Sequence, residues 1–157
     1  MTYWKMQLHP SGDCRDSFML AIDALSKKLI GLDFRFDDDE GDLRLKHKDQ
    51  IKDTTRKSYY AFCDEMQIDD HLLIVNHNYP LAICRVTSDY RYVTDSKVIG
   101  LWFRHFRSID VLDYYRDYIP NPQNWEMIIT TNAISPMRSK DTAESQLVTQ
   151  WLEDLES

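Results

Sequence analysis

Two apolar runs, Leu72–Val75 and Leu81–Val86, lie on either side of Asn76-His77-Asn78-Tyr79-Pro80. Each run is strand-length and contains β-branched residues, and the residues between them are turn formers. The segment therefore predicts an antiparallel hairpin.

The rest of the chain offers partners for that hairpin. Tyr3–His9 reads as a first strand, stopped by Pro10-Ser11-Gly12. Leu29–Phe34 reads as a second, and its interior Gly31 marks a bulge or a close backbone approach. Ile99–Phe103, Arg107–Leu112 and Glu126–Thr131 predict further strands. Asp13 can cap a helix reaching Lys28, with Phe18, Ile22, Leu25 and Leu29 at helical spacing. Asp49–Met66 predicts a second helix, with Ile51, Thr55, Tyr59, Phe62 and Met66 on one face. Leu147, Trp151 and Leu155 form the stripe of a third, from Thr142 to Leu155. The expected architecture is α+β, a mixed β-barrel with helices packed outside, formed as one domain by residues 1–157.

Composition limits what such a domain can do. Hydrophobic residues at 43% fit a globular protein. The apolar runs are too short to cross a bilayer, and the start lacks the pattern of a signal peptide, so no membrane partner is expected. Cys14, Cys63 and Cys84 are odd in number and contain no CxxC pair, which predicts reduced thiols in a cytoplasmic protein. The net charge of −7 opposes wholesale attraction to nucleic acid. Yet Arg44–Lys57 holds six Lys/Arg against Asp49 and Asp53, and Arg85–Arg107 holds five against Asp89 and Asp95. A basic face on an acidic domain is compatible with those windows.

Catalytic signatures are missing. No Gly-rich phosphate loop, HExxH or GxSxG sequence occurs, and the five histidines are scattered. Asp69 and Asp70 read as turn residues rather than a carboxylate pair. The expectation is a binding protein without a cofactor, not an enzyme.

Several segments, in order, resemble the EVE and YTH branches of the PUA-like superfamily. Tyr3-Trp4 through Pro10 resembles the opening of EVE domains, with Gln7 and Leu8 where that family usually has Lys and Ser. Ile30-Gly31-Leu32-Asp33-Phe34 is similar to the I-G-x-G-W segment of McrB-like modification-dependent restriction proteins. Phe62–Met66 with Ile68-Asp69-Asp70 resembles F-x-x-E-M-x-x-G-D, Asp69 standing for glycine. Ile83–Tyr92 and His105–Leu112 resemble the segments that follow, and Pro136–Glu144 resembles the YTH tail.

The resemblance implies a module that holds a flipped, methylated base of DNA in an aromatic pocket. Such a module would be the targeting domain of a modification-dependent restriction system whose motor and nuclease lie elsewhere. Phe34, Tyr90 and Tyr92 are the expected walls of the pocket, with Trp4 beside them. Asp33 or Asp89 would accept a hydrogen bond from an exocyclic amine. Arg104, Arg107, Arg138 and Lys140 would hold phosphates. Unstacking a base costs roughly a few kcal/mol, of which aromatic stacking returns about 1–3. Two rival readings stand beside this one. The Pro136–Glu144 segment favours a YTH-like reader of methylated RNA, and the acidic balance favours an interaction or inhibitor protein using the barrel as scaffold.

Overall fold

The computed structural model describes residues 2–9, 16–33, 40–51, 53–77, 79–115 and 133–157. Their elements in chain order are β1 (Tyr3–Gln7), α1 (Ser17–Ser26), β2 (Leu29–Leu32), α2 (Asp53–Tyr60), β3 (His71–Asn76) and β4 (Tyr79–Val86). There follow β5 (Arg91–Tyr92), β6 (His105–Tyr114), β7 (Ile134–Pro136) and α3 (Ala143–Glu156). The chain is α+β: one mixed sheet curled into a half-barrel, with helices packed against it.

Strand order is β2-β6-β4-β3-β1-β7, with β5 also on β6. The β1–β3 pair is parallel and the other pairs are antiparallel. The expected hairpin is β3–β4, and its turn is tighter than the sequence suggests. Asn76 faces Tyr79, and His77 adopts the left-handed φ of 48° that a two-residue turn demands, so Tyr79 and Pro80 belong to β4. β6 carries two neighbourhoods on one strand. Its first residues pair with both β2 and β5, and Ile109 to Tyr114 pair with β4.

Alternation along the strands divides the apolar residues between the two faces of the sheet. Trp4, Met6, Leu72, Ile74, Cys84 and Val86 enter the inner core, where Ala21, Ala24 and Leu25 of α1 and Tyr59 of α2 also pack. Leu73, Val75 and Ile83 point outward and are covered by Val148 of α3, with Trp151 and Leu152 alongside. A Lys5–Glu144 ion pair of 3.0 Å fixes the start of α3 to β1. Thr142 caps that helix by accepting from the Ser145 N–H.

Three expectations change. The predicted helix Asp49–Met66 is split into a 3-10 turn at Lys48–Gln50, then α2, then a π-helical turn at Ala61–Glu65. Arg56 folds back onto the Ile51 carbonyl through Nε and Nη2 at 3.0 and 2.9 Å, occupying an acceptor that an unbroken helix would use. The inward face was read correctly at Ile51, Tyr59, Phe62 and Met66, all of which are buried.

Ile99–Phe103 is not a strand. Asp95 caps a 3-10 turn at Ser96–Val98, and Gly100 follows at φ 69°. This turn delivers the Phe103 ring onto Gly31, where an added Cβ would lie 2.0 Å from Cδ1. The close approach anticipated at Gly31 is thus made by Phe103. The first helix begins at Ser17, and the expected strand Glu126–Thr131 lies outside the described residues.

Candidate functional site

A cluster of rings occupies the junction of β5 and β6. His105 opens β6, and the register sets it between Leu32 of β2 and Tyr92 of β5. Tyr59 reaches it from α2 with ring centres 4.9 Å apart, Tyr92 lies at 5.0 Å, and Tyr90 stacks at 5.9 Å. Phe62, from the π-helical turn, meets Tyr90 edge-on.

Tyr90 is 3% exposed, so burial raises the pKa of its phenol and keeps the proton on the oxygen. That oxygen accepts from the Leu43 N–H at 3.2 Å and lies 2.6 Å from His105 Nδ1. The phenol donates to Nδ1 or accepts from it according to which imidazole nitrogen carries the proton. The pair ties the 3-10 turn Leu43–Leu45 to β6.

At the rim, the Arg44 guanidinium stands 5.8 Å from the Tyr90 ring centre, held from the other side by Asp42 at 2.7 Å. This hydrogen bond holds the Asp42 carboxyl below its ordinary range. Arg91 is exposed beside half-buried Tyr92. Arg104 immediately precedes His105 and grips Asp33, whose side chain is 1% exposed, through Nε and Nη2 at 2.7 Å each.

The nominated residues therefore separate. Asp33, Tyr90, Tyr92 and Arg104 come together here, and Phe34 lies outside the described residues. Asp89 is exposed on the loop between β4 and β5. Several roles need correction. Tyr90 is a buried strut rather than a rim wall. Asp33 is enclosed and spent on Arg104, so neither is a ready contact for a base or a phosphate. Trp4 is core: it is buried and donates from Nε1 to Asp70 at 2.9 Å. Asp70 also accepts from the Thr2 and Gln67 N–H groups, as expected of a turn carboxylate. Arg107 is 2% exposed and donates to the Met66 carbonyl at 2.6 Å, so it braces the end of the π-helical turn and cannot meet a phosphate. Burial lowers its pKa, against the pull of Asp89.

Arg138 and Lys140 are exposed elsewhere, along a groove of about 790 Å³ with Tyr3, Glu65, Met137 and Thr149. Arg44 and Arg91 were not singled out in the sequence; their only signal was membership of the two basic windows.

Thiol chemistry finds no support in the described cysteines. Burial, aided by Asp64, pushes the Cys63 thiol up to about 12, and burial raises Cys84 further. Among the described residues no three His, Cys, Asp or Glu side chains are grouped to hold a metal.

A family model described as Domain of unknown function (DUF8426) matches residues 4–138. None of the curated proteins matches the chain. Two solved structures are similar at a TM-score of 0.44. One is protein Atu2648 from Agrobacterium tumefaciens, 15% identical over 97% of this chain and 92% of that one. The other is human THYN1 in complex with DNA containing 5-methylcytosine, 8% identical over 98% of each chain.

Proposed function

This chain belongs to the family described as Domain of unknown function (DUF8426), and we propose that it is a PUA-like nucleic-acid reader that seats a modified base of DNA at the β5–β6 junction. The observation that carries this reading is the gathering of the Tyr59, Tyr90, Tyr92 and His105 rings at the β5–β6 junction, with the Arg44 guanidinium 5.8 Å from the Tyr90 ring centre, in a chain of net charge −7. Clustered rings with a cation beside them suit a base and a flanking phosphate.

Within that reading the roles differ from those in the sequence motifs. Tyr92, half-buried on the two-residue β5, is the ring a base would stack on. Tyr90 and His105 hold Tyr92 in place from behind. Asp89 is the exposed acceptor for an exocyclic amine, and Arg91 and Arg44 take the phosphates. Service as the targeting domain of a modification-dependent restriction system, beside a separate motor and nuclease, is supported by the Ile30–Phe34 motif.

The test is a binding panel of methylated and unmodified DNA and RNA oligonucleotides over a range of salt. Tyr92→Ala is expected to weaken the modified oligonucleotide by about 1–3 kcal/mol without altering the salt slope. Arg91→Ala is expected to flatten that slope by about one unit and weaken all sequences alike. Unchanged affinity and unchanged preference in a folded Tyr92→Ala protein would sink the proposal. A second reading, methylated RNA, is favoured by Arg138 and Lys140 sharing one groove. Tighter binding of RNA, lost on Lys140→Ala, would select it.

A further inference from the structure

The outer face of the sheet carries a second concavity, separate from the rings. α3 crosses this face from Lys5 of β1 to the end of β6, and there leaves a groove of about 360 Å³. Its lining includes Asp113, Tyr115, Leu147, Trp151, Asp154 and Leu155. Tyr114 and Leu155, both in the lining, are 42% and 44% exposed, so the groove presents apolar surface to solvent. Trp151 is set in place rather than loose: its Nε1 donates to Asp113 Oδ2 at 2.8 Å, and Tyr115 meets its ring edge-on at 5.4 Å.

Charge decides what fits. α3 carries Glu144, Glu153, Asp154 and Glu156 and no lysine or arginine. On the β6 side lie Asp110 and Asp113, and the nearby Arg85 is engaged by Asp110 at 2.9 Å. A neutral apolar ligand would strip water from Asp113 and Asp154 without replacing it. A second copy of this chain, itself at −7, would bring carboxylates against carboxylates. Arginine and lysine satisfy both halves of the groove, with an apolar stem for Leu147 and Leu155 and a cationic head for the rings and carboxylates.

We infer that this groove docks a basic segment of a partner protein through an arginine or lysine side chain. The volume is at the small end of the range for ligand clefts, about 300–1,000 Å³, and suits side chains of a peptide. Because the groove lies on the face covered by α3, while Tyr90 and His105 lie in or against the inner core, a peptide here leaves the β5–β6 junction open.

The test uses the full chain and a short amphipathic peptide of arginine and leucine, with glutamate replacing arginine in the control peptide. Binding is read by calorimetry, and folding by circular dichroism. Asp154→Lys, at the groove, is expected to weaken the arginine peptide about tenfold. Asp23→Lys, the same charge change at an exposed position of α1, is expected to leave affinity within about twofold. Equal losses in the two variants would reduce the effect to overall charge and overturn the inference. So would an arginine peptide that binds no better than its glutamate counterpart.

Discussion

Arg104 meets Asp33 with its Nε and Nη2 at 2.7 Å each, and adds its own backbone N–H at 3.1 Å. The fork joins the residue after β2 to the residue before β6, fixing the mouth beside the rings. Breaking a buried pair by removing one partner strands the other charge. Arg104 is partly exposed, so water screens some of that loss. Arg104→Ala is expected to lower unfolding free energy by about 1–3 kcal/mol, read from urea titration. Its effect on the salt slope of oligonucleotide binding is expected to be small.

Tyr90 separates structure from binding. Tyr90→Phe keeps the ring but leaves the Leu43 N–H and His105 Nδ1 without the hydroxyl, an expected cost of about 1–3 kcal/mol. Tyr90→Ala also opens a cavity among Phe62 and His105 and is expected to cost about 3–5 kcal/mol. Melting temperatures of the two variants should fall in that order.

Gly31 is a packing position. Gly31→Ala drives a methyl group into the Phe103 ring, and overpacking of this kind costs about 1–3 kcal/mol or more. Combining it with Phe103→Leu, which vacates the ring, should cost less than the sum of the single changes. A double-mutant cycle measured by denaturant unfolding checks this.

His71 gives the fold a pH dependence. Burial, and then the Arg85 cation, holds its imidazole below the ordinary value of 6.5, against Asp70 and Asp69. The unfolded chain takes up the proton first as pH falls, so it binds more protons in the interval between the two values. This contribution to stability is complete above about pH 6.5 and declines as pH falls through the folded value. His71→Gln should flatten that part of the curve of urea midpoint against pH.

Much of this was legible where local chemistry and tertiary context agree. The hairpin, the inward stripe from Ile51 to Met66 and the tight approach at Gly31 are of that kind. Asp69, standing where the resembled motif has glycine, adopts a left-handed φ of 75°. Arg107 was misread because charge in a sequence reads as surface. Alternation held the counter-signal: His105, Arg107 and Ile109 share a face, and Ile109 had to be inside. The run Ile99–Phe103 looked like a strand by apolarity alone, whereas Asp95 and Gly100 make it a turn that carries one phenylalanine inward. The rings around His105 come from α2, from β5 and from the residue just before β5, a convergence that no periodicity within one segment encodes.

The family match ends at Arg138, whereas α3 begins at Ala143. A fragment cut at Arg138 would retain the seven strands of the described residues yet strip the lid from Leu73, Val75 and Ile83. Three aliphatic side chains on adjacent strands would then face water as a single sticky plane. Such a fragment is expected to elute as aggregates in size-exclusion chromatography, and the full chain as a defined species. For solubility, the sheet needs α3, which lies beyond the last residue of the family match.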